Sequence, residues 1–88
     1  MTWNDKVELA KALNQERYTD AVNLIKEHEE DIDNTDMDMF ATGFLLTECE
    51  LLKPIEHIIR KYQNESTGYF RSDMRIGMML EKLNDISE

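Results

Sequence analysis

Cysteine and proline each occur once in this 88-residue chain, and glycine three times. A lone cysteine, Cys49, excludes an internal disulfide and the four-ligand Cys/His zinc patterns, so the fold must be held by packing or by self-association. A reducing compartment suits that usage. Strict alternation between apolar and polar residues is confined to short runs, so the signature of a half-buried strand is missing too. No apolar run approaches the roughly 20 residues of a membrane span. The opening Met1-Thr2-Trp3-Asn4-Asp5 lacks the basic and apolar regions of a signal peptide. The expectation is a cytoplasmic protein without membrane contact, and the length leaves room for one small helical domain over residues 1–88.

Basic residues are also scarce, ten against nineteen acids, for a net charge of −9. A surface of that sign repels phosphate, which argues against direct binding of nucleic acid or of an anionic membrane. The excess is local. Residues 27–56 hold ten acids and one base, Lys53, whereas the rest of the chain is balanced at nine of each. A concentrated negative stripe speeds encounter with a basic partner. The candidate partner-binding residues are therefore Glu29, Glu30, Asp31, Asp33, Asp36, Asp38, Glu48 and Glu50. The plainer use of such a run is a solvated rim that confers solubility.

The apolar spacing predicts an all-α fold of about five short antiparallel helices: two helical hairpins and a C-terminal helix. The first helix covers about residues 5–13, with Val7, Ala10 and Trp3 on its inner face, and ends in the polar residues 14–17. Thr19 or Asp20 is placed to cap the second, along which Ala21, Leu24, Ile25 and His28 recur at helical spacing. Residues 29–36 form a polar connector anchored by Ile32. A third helix starts near Asp36 or Asp38 and carries Phe40, Ala41, Phe44, Leu45 and Leu52 inward. Pro54 marks a restart, after which Ile55, Ile58, Ile59 and Tyr62 fall at i, i+3, i+4 and i+7. Residues 63–68 form a polar link, and Ser72 is placed to cap a last helix bearing Ile76, Met79, Leu80 and Leu83.

At an offset of about 34 residues, Ala21, Leu24, Ile25 and His28 fall on Ile55, Ile58, Ile59 and Tyr62. Asp31-Ile32-Asp33-Asn34-Thr35-Asp36 and the following Thr42-Gly43-Phe44-Leu45 resemble the connector and first helix of an ankyrin repeat, with Ile55, Ile58 and Ile59 at its second-helix core positions. Arg17-Tyr18-Thr19-Asp20-Ala21-Val22 is similar to the start of a tetratricopeptide second helix. Proline, histidine, the paired alanines and the Gly-His turn of ankyrin are absent from the second unit. Either resemblance implies a two-unit stack that binds proteins and performs no chemistry.

The motifs of catalysis do not assemble. A calcium loop begun at Asp31 would put Asp36 where glycine is required and Thr42 where the bidentate glutamate belongs. His28-Glu29 opens like a zinc-protease motif, but Ile32 stands where the second histidine is needed. Cys49 sits between Glu48 and Glu50, an environment that disfavours a thiolate. No metal, cofactor or catalytic residue is expected. Methionine is frequent, and Met74, Met78 and Met79 on the last helix form a candidate self-association patch, because a helix apolar over most of its girth needs cover from several sides. The expected function is a non-enzymatic module that binds a basic protein surface, as an inhibitor or nucleic-acid mimic in its sharper form. The alternative is a structural subunit forming a helical homodimer or larger homo-oligomer.

Overall fold

The structure, a computed structural model, describes residues 1–65 and 70–86, the side chains of residues 65, 70 and 71 excepted. It contains five α-helices and no strand among the described residues: α1 (Trp3–Asn14), α2 (Tyr18–Glu27), α3 (Asn34–Gly43), α4 (Glu56–Glu65) and α5 (Phe70–Ile86). A 3₁₀ segment, Leu46–Ile55, joins α3 to α4. Helix α1 packs on α3 and α3 on α5, while α2, the 3₁₀ segment and α4 follow one another behind them. One apolar cluster fills the space between the two rows. At its centre Phe40 and Phe44 lie 5.1 Å apart, and Tyr18 meets Phe44 edge-on at the same distance.

The first turn of α1 has a local cause. Thr2 and Asp5 cap α1 reciprocally: the Asp5 amide donates to Thr2 Oγ1 at 3.2 Å and the Thr2 amide donates to Asp5 Oδ2 at 3.1 Å. Helix α1 ends in a Schellman motif. The amide of Glu16 donates to the Leu13 carbonyl, that of Arg17 donates to the Ala12 carbonyl at 2.8 Å, and Glu16 takes φ of +58°. A glutamate in the left-handed region costs about 1–2 kcal/mol that glycine avoids. We therefore expect Glu16→Gly to stabilise the fold by about 1 kcal/mol, read as a higher midpoint in urea.

The inner face of α1 differs from the expected one. Leu9, Ala12 and Leu13 are buried, whereas Trp3 and Val7 are exposed. The cause is Lys6, whose ammonium reaches Asp36 on α3 at 2.6 Å. Lys6, Leu9 and Leu13 share one helical face, so anchoring Lys6 on α3 turns Val7 outward. Helix α2 also starts differently: Thr19 and Asp20 lie inside its first turn, and Arg17 occupies the cap position without a side-chain cap. Arg17 instead binds Asp20 at 2.9 Å and Glu8 at 3.3 Å, tying the two helices of the hairpin.

Helix α3 begins at Asn34, earlier than expected, because Asp33 and Asp36 form a second reciprocal cap. It also ends sooner. Phe44 is extended, at φ −79° and ψ 134°, so Phe44 and Leu52 are buried from outside the helix and Leu45 is exposed. Arg75 of α5 stabilises this end by donating from Nε to the Ala41 carbonyl at 2.6 Å and from its terminal nitrogen to the Phe44 carbonyl. The last turn of α3 has no basic residue of its own, and Arg75 supplies the positive charge that a helix C-terminus favours. Long 3₁₀ runs are uncommon; this one is broken at Glu48, whose φ and ψ of −104° and 21° are not helical.

The restart behind Pro54 is as the spacing predicts, with Ile55, Ile58, Ile59 and Tyr62 all buried. Gln63 and Asn64 continue α4 rather than opening a link, and residues 66–68 of that link lie outside the described residues. In α5, Ile76, Met79, Leu80 and Leu83 are buried as expected. Ser72 does not cap the helix. It lies within it, buried, and its hydroxyl donates to Asp38 at 2.8 Å.

Candidate functional site

The acidic stretch separates into carboxylates that build the fold and carboxylates that face away from it. Asp36 is 1% exposed and accepts from Lys6. Asp38, two residues further along α3, accepts from the hydroxyls of Tyr62 and Ser72, joining α3 to α4 and α5. Asp33 caps α3 and pairs with Lys6 at 3.2 Å. Its carboxyl is held below the ordinary value by the hydrogen bond from the Asp36 amide and by Lys6, while burial opposes the shift. Asp31 pairs with the Met1 ammonium at 3.2 Å, which likewise lowers its pKa, and Glu29 meets His57 Nε2 at 2.6 Å. Glu30, Glu48 and Glu50 have neither an ion pair nor a hydrogen bond from their side chains among the described residues. Glu30 and Glu50 are exposed and Glu48 half-buried.

Lys6 was the participant that sequence spacing did not disclose. Its hydrogen bond to the Asp36 carboxylate, joined by one to Asp33, raises its pKa above the ordinary value, against a smaller opposing effect of desolvation. It lies 30 residues before Asp36, in a segment whose charges balance, and no motif links the two. The cluster of Asp38, Tyr62 and Ser72 was also missed. Its one trace is the 34-residue offset itself, which separates Asp38 from Ser72 and Ala41 from Arg75, so the repeat spacing relates hydrogen-bonded positions on adjacent helices.

Of the outward carboxylates, Glu30 borders a cleft of about 120 Å³ between the connector and α4. Ile32, Met37, Ile58 and Tyr62 line it, with Glu29, Glu30 and Asp33 on one side and His57 and Lys61 on the other. Glu48 and Glu50 lie apart from it on the 3₁₀ segment. Of the three methionines proposed for self-association, Met74 and Met78 are 53% and 42% exposed, whereas Met79 belongs to the core.

Among the described residues, no group of three His, Cys, Asp or Glu side chains is arranged to hold a metal ion. His28 stands 3.5 Å from each of Asp5 and Asp31, one carboxylate at each ring nitrogen. Cys49 is buried, and burial pushes its thiol up, more than Lys82 and Arg75 lower it. The protonated thiol is favoured by desolvation rather than by Glu48 and Glu50 beside it. No described helix is long and apolar enough to cross a membrane. No protein-family model, curated protein or solved structure matches this chain.

Proposed function

We propose that the chain is a non-enzymatic interaction module that docks on a basic surface of a protein partner in the cytoplasm, acting by occupancy. The observation that carries this reading is that Glu30, Glu48 and Glu50 form no ion pair among the described residues, in a fold that engages five neighbouring acids internally. Carboxylates left in this way attract a cationic surface at long range and desolvate only on contact. The stacked helical hairpins act as the scaffold, with Asp36 and Asp38 holding the elements that present the outer acids. In the sharper form of the proposal, those acids occupy phosphate positions on a nucleic-acid-handling protein and inhibit it. Nucleic acid itself and membranes are not partners.

The test is capture of a partner from nuclease-treated lysate, followed by a salt titration with the wild type and with the combined variant Glu30→Gln, Glu48→Gln, Glu50→Gln. We expect the variant to keep its helical spectrum, bind at least tenfold more weakly in about 0.15 M salt and show a shallower salt dependence. Displacement of the partner by DNA or RNA supports the mimic. A partner retained equally by both proteins sinks the electrostatic reading. The exposed Met74 and Met78, one turn apart, favour a second reading as a self-associating subunit. That reading requires a dimer in sedimentation that Met74→Ser with Met78→Ser abolishes.

A further inference from the structure

The cleft between the connector and α4 combines two surfaces that one kind of side chain satisfies together. Its floor is apolar: Ile32, Met37 and Ile58, with the ring of Tyr62, whose hydroxyl is held by Asp38. Its acidic wall carries Glu29, Glu30 and Asp33. Glu29 is engaged by His57 and Asp33 by Lys6, which leaves Glu30 as the carboxylate with no partner among the described residues.

Size narrows the occupant. Sites for metabolites and cofactors measure about 300–1,000 Å³, and this cleft holds about 120 Å³. That is room for one long side chain. An occupant complementary to both surfaces has an apolar stem and a cationic end, which leaves lysine and arginine. Arginine is favoured. Its planar guanidinium is weakly hydrated, stacks on an aromatic ring and pairs with a carboxylate through two parallel hydrogen bonds, whereas an ammonium is a strongly hydrated point charge.

We propose that this cleft is a socket for an arginine side chain from a basic segment of a protein partner, with the stem over Ile32 and Ile58 and the guanidinium on Glu30. The proposal rests on the reading of the chain as a module for a basic partner and adds to it the anchoring residue. Lys61, on the facing wall, opposes the guanidinium and weakens capture of less complementary cations.

The experiment is a methyl and amide NMR titration of the full chain in about 0.15 M salt, with an acetylated Gly-Arg repeat peptide and a Gly-Lys peptide of equal length and charge. The expected result is saturable binding of the arginine peptide, several-fold tighter than the lysine peptide, with the largest shifts at Ile32, Met37 and Ile58. Glu30→Gln weakens that binding several-fold, Lys61→Ala strengthens it, and Glu48→Gln leaves it within a factor of two. Equal affinity for the two peptides, with Glu48→Gln as harmful as Glu30→Gln, overturns the socket and leaves the acidic module standing. Absence of saturable arginine binding also overturns the socket. The module reading is judged separately, by whether a captured partner is released by the combined glutamate variant.

Discussion

Replacing Lys6 with methionine is expected to be among the most damaging single changes in the molecule, although the position looks like an ordinary surface lysine. Methionine keeps the length and much of the apolar stem, so the packing of α1 on α3 changes little. The charge is what is lost. Asp36, 1% exposed, would retain only the Asp33 amide as a donor to its side chain. A carboxylate this buried and stripped of its cation costs roughly 3–5 kcal/mol. The measurement is the urea midpoint of Lys6→Met beside that of Lys6→Met with Asp36→Asn. The second substitution removes the stranded charge while keeping a side-chain oxygen that accepts from the Asp33 amide, so we expect it to recover a large part of the loss. A single variant as stable as the wild type would mean that the pair contributes nothing.

Lys6 and its other partner, Asp33, set a pH window. Lys6 is raised above its ordinary value of 10.5, so its contribution is complete below that value and is lost as pH rises through the higher value of the folded state. Asp33 is lowered from 3.8, so its contribution is complete above that value and is lost as pH falls through the lower value. Both contributions are therefore intact between these limits.

The helical class, the core of α4 and the core of α5 were legible because they rest on local periodicity. Ile55, Ile58, Ile59 and Tyr62 need no knowledge of the rest of the chain to be placed on one face, and the face is buried. The inner face of α1 was not legible, since Val7 and Leu9 are equally good apolar candidates and the choice between them is made by Lys6 reaching across 30 residues. The end of α3 was misread for a similar reason: its carbonyls are capped by Arg75, a side chain from another helix that periodicity cannot see. The acidic stretch was legible as a stretch and illegible residue by residue. Asp36 and Glu30 are both carboxylates in one polar run, yet one is buried on Lys6 and the other exposed, a distinction fixed by partners remote in sequence. The reciprocal cap of Asp33 and Asp36 was the part open to local reading, because acids three residues apart ahead of an apolar run are a helix-start signature.

Asp38→Ala is expected to cost about 2–3 kcal/mol and to disturb the cleft as well as the fold. One carboxylate oxygen accepts from both Tyr62 and Ser72, so the substitution takes the acceptor from a tyrosine hydroxyl on α4 and removes one hydrogen bond of a serine on α5. Both residues are buried, which makes water a poor replacement. Asp38→Asn retains a carbonyl oxygen in the same place and should cost clearly less. Tyr62→Phe, which removes one donor and keeps the ring, should cost about 1 kcal/mol. Combined with Asp38→Ala it should add less than its separate effect, because the bond it breaks is already gone, and the double-mutant cycle measures that coupling directly. Since the Tyr62 ring belongs to the floor of the cleft, releasing its hydroxyl frees the ring to move. Asp38→Ala should therefore lower affinity for an arginine peptide even under conditions in which the variant remains fully folded, whereas a distant core truncation of equal thermodynamic cost should leave that affinity intact. Strictly additive effects of Asp38→Ala and Tyr62→Phe would show that the hydroxyl and the carboxylate act independently, and the link from α3 through α4 to the cleft would be lost.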